Sequence, residues 1–183
     1  ILRDIKGGKD PEEAVSEAFA YYDALYDAIS DIGESLIEDG DGILTRCFPE
    51  HTFMLSVRKA KEKGKDVKVF VPETRPYLQG AKLTEPSLRA MGIECYLITD
   101  GMGAHYMAEG RVQKFMTASD LALSDRTVVN KTGTLSDAIA ARWHGIPYYA
   151  FSLSIDKEAS REGIVLEERD GWGEKGYGAR MLY

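Results

Sequence analysis

Between Lys9 and Gly42 the apolar positions recur with the period of a helix, and beyond Gly42 short apolar runs alternate with helical stretches. In "KDPEEAVSEAFAYYDALYDAISDIGESLIEDGDG", Asp10 is placed to cap, Pro11 suits the first helical position and Glu13 completes a capping pattern. Ala14, Ala18, Tyr22, Leu25, Ile29, Ile32 and Leu36 then fall on one predicted apolar face, and Asp39-Gly40-Asp41-Gly42 ends the helix. The pattern next predicts a strand in "ILTRC", a helix through Val57 and Ala60 to Lys63, a strand in "VKVFV" and a helix opening at Thr84-Glu85-Pro86. It continues with a strand in "CYLIT", a short helix around His105, a strand in "VQKFMTA", a loop, a helix from about Thr134 to His144 and a strand in "PYYAF". Such alternation predicts an α/β fold: a Rossmann-like parallel sheet with helices on both faces, preceded by a helical segment. Residues 1–40 read as the helical segment, the remainder of an upstream helical domain, and residues 41–183 as the Rossmann-like domain.

In an open parallel sheet ligands bind beyond the carboxyl ends of the strands, near the point where strand order reverses. Four polar segments are predicted at that edge: Cys47 with its followers in "ILTRCFPEH", "PETRPYLQG", "TDGMG" and "SDLALSDRTVVNKTGT". The first of them raises the question of why a thiol stands where a buried strand gives way to a loop.

Composition narrows the answers. A chain of 183 residues, 44% hydrophobic and 29% charged, is globular in make-up. At this size it buries roughly 70% of its unfolded surface without help from disulfides or metals. A net charge of -7 gives no support to a nucleic-acid or anionic-membrane partner, since both reward basic patches. No stretch approaches the roughly 20 apolar residues of a membrane span, and no leader opens the chain, so a cytoplasmic location is expected. The two cysteines, Cys47 and Cys95, read as reduced thiols. The chain opens on Ile1 rather than Met, and a longer polypeptide is expected around it.

Each candidate has a plainer reading. A strand-end cysteine is usually a small core hydrophobe. Cys47 and His51 lack a third ligand at suitable spacing, because Cys95, His105 and His144 fall on separate elements; no metal is expected. "DGMGAHYM" has a dinucleotide-loop look, yet Tyr106 stands where the third glycine belongs, and no cofactor is expected. Glu73 and Arg75 suit a loop salt bridge, although Arg75 precedes a proline and Gln79 a glycine. Asn130 and Lys131 before Thr132-Gly133-Thr134 bring an amide and an ammonium to a helix start, where anions are favoured.

"ILTRC", "ETRPYLQGAKLT", "ITDGMGAHYM", "ASD" and "NKTGT", in this order, resemble the family uniting methylthioribose-1-phosphate isomerase, ribose-1,5-bisphosphate isomerase and the regulatory subunits of initiation factor 2B. The resemblance runs to "EERD" at 167–170. It implies Cys47 and Asp120 as a catalytic pair, Asp120 standing ten residues before Asn130. It further implies Gln79, Asn130 and Lys131 as sugar-phosphate contacts, Arg75 as a shaper of its loop, and a homodimer. The regulatory subunits lack the cysteine and aspartate that this chain keeps. The implied activity is aldose-to-ketose isomerisation of a pentose 1-phosphate, with a small-molecule sugar phosphate as partner; the alternative is a non-catalytic, ligand-sensing subunit. Asp120 then has to be protonated in an apolar setting, for which Met116 and Leu121 are the neighbours in sequence. Cys47 serves as a thiolate base if Lys131 or backbone donors lower its pKa below about 8.5. Four departures from the family pattern stand out: neither the upstream arginine-glycine phosphate grip nor the further segment beyond "EERD" falls within these 183 residues, Phe48-Pro49-Glu50 follow the cysteine, and Ser124-Asp125-Arg126 replace an Asn-Gly turn.

Overall fold

The computed structural model describes residues 1–164; the "EERD" run at 167–170 lies outside the described residues. Two helices, α1 (Leu2–Lys6) and α2 (Pro11–Ser35), precede the sheet. The Asp10 carboxylate accepts from the Glu13 amide at 3.0 Å, so the capping expected from sequence is in place. Strand β1 (Gly42–Leu44) is followed by α3 (Glu50–Glu62), β2 (Lys68–Pro72), a π-helical turn (Gly80–Thr84), α4 (Glu85–Ala90) and β3 (Glu94–Ile98). Then come α5 (Gly103–Ala108), β4 (Lys114–Ala118), a hairpin of β5 (Leu121–Ala122) and β6 (Val128–Val129), α6 (Thr134–Trp143) and β7 (Tyr148–Phe151).

Five strands form one parallel sheet in the order β3-β2-β1-β4-β7, with Ile43 beside Val69 on one side and Lys114 on the other. The chain leaves β1 toward β2 and β3, and returns to the other side of β1 with β4. The order therefore reverses between β1 and β4, and the crevice lies above their carboxyl ends.

Side chains alternate across the sheet, as the period of a strand requires. Ile43, Val69, Val71 and Met116 point to one face, where Phe53, Val57 and Ala60 of α3 and Leu88 of α4 cover them. Leu44, Phe70 and Phe115 point to the other, under Met107 of α5 and Ala141 of α6. Fully burying one such aliphatic or aromatic side chain contributes about 1.5–3 kcal/mol.

Two elements differ from the sequence expectation. The buried side of the second half of α2 runs through Ser30, Gly33 and Glu34, whereas Tyr22 and Ile32 of the expected apolar face are exposed. Small residues decide this, because they let α2 approach α3 closely: a Cβ on Gly33 would lie 2.1 Å from Ser56 Oγ. Buried Glu34 of α2 also accepts hydrogen bonds from Lys63 and Lys65 just beyond α3. Second, the stretch expected as loop before α6 contains the β5–β6 hairpin, closed by Leu121 opposite Val129.

Candidate functional site

The polypeptide between β1 and α3 is anchored at several points. Thr45 and Arg46 are buried, and Cys47 is half-buried with a left-handed φ of 64°. Its N–H donates to Thr74 Oγ1 at 3.1 Å and its carbonyl accepts from Thr84 Oγ1 at 2.5 Å. Thr74, on the loop after β2, also has a left-handed φ, of 61°, and is almost wholly buried. Non-glycine residues in that region cost about 1–3 kcal/mol each and persist where the surroundings over-determine them, a pattern concentrated at functional sites. Thr84 ends the π-helical turn, another feature frequent at such sites.

Below Cys47 the Arg46 guanidinium is 3% exposed. Its Nε donates to Asp137 of α6 at 2.6 Å, its Nη1 to Asp100 Oδ1 at 3.0 Å and its Nη2 to the Asp100 carbonyl at 2.9 Å. Asp100 in turn accepts from the Thr74 amide at 2.9 Å and the Arg75 amide at 2.7 Å. The acid of "TDGMG" is thus occupied in joining two loops.

Asp120 stands at the foot of the hairpin, its N–H donating to the Val129 carbonyl at 2.9 Å. Its side chain is exposed, which corrects the apolar setting expected for it: Met116 is turned into the core beneath α3, and Leu121 is only half-buried. Asn130 follows β6 and donates from Nδ2 to Thr134 Oγ1 at 3.2 Å. The Lys131 ammonium lies 5.1 Å from the centre of the Tyr77 ring, so the hairpin side and the loop after β2 meet there. Gln79 is half-buried, and its Oε1 is buried without a protein donor. Arg75 is exposed and enters the network through its amide. His51 packs against Tyr26 at 5.3 Å, away from a metal-like arrangement, and Cys95 lies in β3 near the Glu85 carbonyl.

Electrostatics joins Cys47 to the hairpin. Burial pushes the Cys47 thiol up; the Phe48 amide, Lys131 and Arg46 pull it down, and Asp120 adds a push upward. The net direction is upward, which corrects the expectation of a thiol lowered to a thiolate: loss of water outweighs the cations. Burial likewise raises the Asp137 carboxyl, with Arg46 opposing.

Cys47, Gln79, Asn130 and Lys131 lie beyond the carboxyl ends of strands, where the sequence pattern assigned them, while the buried network of Arg46, Thr74, Asp100 and Asp137 carried no assignment from sequence. One signal was available: an arginine inside an apolar strand run needs a buried acidic partner.

The chain matches the model of the initiation factor 2 subunit family over residues 7–172 and belongs to that family. It is 43% identical over 148 residues to a methylthioribose-1-phosphate isomerase of Petrotoga mobilis, covering 75% of this chain and 42% of the relative. It is 39% identical over 175 residues to a 5-deoxyribose 1-phosphate isomerase of Moorella thermoacetica, covering 87% and 49%. The fold is similar to the crystal structure of the delta subunit of translation initiation factor eIF-2B from A. fulgidus, with TM-score 0.77, 35% identity and coverage of 84% and 48%. The chain therefore spans about half the length of these relatives. Among the described residues no helix is long and apolar enough to cross a membrane.

Proposed function

We propose that this chain carries the Cys-Asp site of an aldose-ketose isomerase that converts a pentose 1-phosphate, methylthioribose 1-phosphate or its 5-deoxyribose relative, into the ketose 1-phosphate. The observation that carries the reading is the place of Cys47 beyond β1, where strand order reverses, with Asp120 and Lys131 each near enough for its charge to act on the thiol. Relatives at about 40% identity named for this chemistry support it.

Phosphate on the anomeric oxygen blocks ordinary ring opening, so the ring oxygen has to receive a proton while the C1–O phosphate bond stays intact. The C1 to ring-oxygen bond then breaks. Hydrogen moves from C2 to C1, either as a proton lost and regained or as hydride with loss of the C2 hydroxyl proton, and C2 becomes the ketone. A thiol kept neutral by burial suits the donor role, and the exposed Asp120 carboxylate is free to approach the C2 side as acceptor. This exchanges the roles expected from sequence. Lys131, beside the first turn of α6, suits the phosphate. The Gln79 Oε1 without a protein donor suits a sugar hydroxyl, and Arg75 shapes its loop. Methylthioribose 1-phosphate as substrate places the chain in methionine salvage.

The implied homodimer has a candidate surface in Leu135, Ile139 and Trp143, an exposed apolar stripe along α6, with sedimentation of the protein and of Trp143→Glu as its test. Similarity to a translation-factor subunit favours a second reading, in which a sugar phosphate binds without turnover. The two separate when ketose formation from methylthioribose 1-phosphate and 5-deoxyribose 1-phosphate is followed alongside ligand binding. Turnover lost in both Cys47→Ser and Asp120→Asn supports the isomerase; binding without turnover in the unmutated protein supports the sensor.

A further inference from the structure

We infer that Arg46, clamped between Asp100 and Asp137, is the positioning residue of the site: it fixes the Cys47 turn against the loop after β2 and against the segment that carries Lys131. The label "catalytic" for Cys47 rests on the isomerase reading above; the clamp itself rests on geometry alone.

Two strands and one helix converge on this single guanidinium. Arg46 leaves β1, Asp100 leaves β3 and Asp137 lies one turn inside α6, and all three donor contacts are 3.0 Å or shorter. The Asp100 carboxylate carries the connection onward to the Thr74 and Arg75 amides, and Thr74 Oγ1 holds the Cys47 amide. The fourth side of the clamp is Gly133. It has a φ of 99°, and a Cβ there would lie 2.5 Å from Arg46 Nη1 and 2.6 Å from Cζ, so the backbone just after Lys131 packs directly on the guanidinium.

A plain stabilising role does not account for this arrangement. Ion pairs taken out of water are seldom more stabilising than apolar residues of the same volume. The donors are spent on the Asp100 carboxylate and carbonyl beyond β3 and on the Asp137 carboxylate in the first turns of α6, the segments that frame Cys47. A planar fork with donors on several edges can hold such loops in fixed relation, which a lysine's point charge cannot. Arg46 touches no reacting atom in this scheme and acts through Cys47.

The test uses the full chain in a Cys95→Ser background, with Arg46→Gln, Asp137→Asn and Gly133→Ala compared after far-UV circular dichroism has established folding. Iodoacetamide alkylation of Cys47 is followed against pH, and kcat and KM are measured with methylthioribose 1-phosphate. The charged groups facing the thiol are Arg46, Lys131 and Asp120, with Asp100 and Asp137 behind Arg46. Arg46→Gln removes a cation and should move the alkylation midpoint up; Asp137→Asn removes an anion and should move it down. Both should lower kcat by about a hundredfold, the effect of a displacement near 1 Å, with a smaller change in KM. Gly133→Ala keeps every charge, so it should lower kcat while leaving the midpoint in place. Midpoints that stay fixed in both charge variants, or that move together, overturn the proposal. If Arg46→Gln does not fold, Asp137→Asn and Gly133→Ala decide by the same criteria. Absence of turnover in the unmutated protein would count against the isomerase reading and leave the alkylation result to judge the clamp.

Discussion

Cys47 and Asp120, near enough for the carboxylate to act on the thiol, stand on contrasting supports. Cys47 lies on a turn whose amide and carbonyl are both held by threonines, above a nearly inaccessible arginine bonded to two carboxylates. Asp120 stands exposed at the foot of a two-stranded hairpin with two paired residues in each strand. The first support is coupled to the core, and the second projects from it. The contrast teaches that, under the proposed roles, the two groups should fail differently: a change under Cys47 should strike fold and chemistry together, and a change at Asp120 chemistry alone.

The largest expected effect tests that contrast directly. Asp120→Asn should lower kcat by about 10²–10⁴-fold, the ordinary contribution of one acid-base group, while leaving the thermal midpoint unchanged. Cys47→Ser should lower kcat over the same range. Equal kcat for Asp120→Asn and the unmutated protein, measured by ketose formation, would remove Asp120 from the reaction.

Next comes the foundation under Cys47. Arg46→Met leaves Asp137 buried without its cation, and breaking a buried pair in this way typically costs 3–5 kcal/mol, to be read from urea unfolding (about 3–5 kcal/mol expected here). The matched change on the other side, Asp125→Ala in the hairpin turn, removes a carboxylate that accepts from the Thr127 amide at 2.8 Å on an exposed surface. It should leave the urea midpoint almost in place, as substitutions on an exposed surface usually do. If the two variants unfold at the same urea concentration, the supports are not as different as the geometry indicates.

A third effect lies between α2 and α3, outside the crevice. Gly33→Ala places a methyl group 2.1 Å from Ser56 Oγ and 2.9 Å from the Phe151 ring, an overpacking that should cost about 1–3 kcal/mol. Ser56→Ala in the same chain should recover part of it, because the hydroxyl is the nearest obstacle. Additive losses in the double variant would show that α2 adjusts elsewhere.

The sequence was legible where a feature is local and periodic. Asp10, Pro11 and Glu13 announce the start of α2, and the alternation of Ile43 with Leu44 or Val69 with Phe70 announces a sheet covered on both faces. It was less legible where small residues decide the packing. Ser30 and Gly33 carry little hydrophobic signal, yet they bring α2 onto α3, and the large apolar side chains Tyr22 and Ile32 are left outside. The hairpin was hidden because Leu121-Ala122 and Val128-Val129 are too short to establish a period. For the candidate site, the positions of Cys47, Asn130 and Lys131 beyond strand ends could be read by counting strands. The Arg46 clamp could not, since its carboxylates come from positions 54 and 91 residues away. The state of the thiol was also out of reach, because the sequence names the nearby cations and is silent on how much water burial removes.

The smallest expected effect, and the one that best separates the two proposed roles, is the response to alkali. In the folded protein burial holds the Cys47 pKa above the ordinary thiol value, which is about 8.5. If the thiol donates a proton to the ring oxygen, kcat/KM holds steady through neutral pH and falls as the pH rises through that elevated pKa. A thiolate base would give the opposite slope, increasing over the same range, and an increase would return the acid role to another group. Stability follows the same group by linkage. Above about pH 8.5 an unfolded thiol loses its proton while the buried one keeps it, so the folded state binds more protons and the free energy of unfolding declines as pH rises. Cys47→Ser should reduce that decline without abolishing it, because burial also raises Cys95. At still higher pH the Tyr26 hydroxyl, pushed up to about 12 by burial and its bond to Glu50, extends the decline in both proteins. Parallel stability curves for the two proteins between neutrality and the onset of tyrosine ionisation would mean that Cys47 is no more buried than a solvent-exposed thiol, and the contrast with Asp120 would lose its electrostatic half.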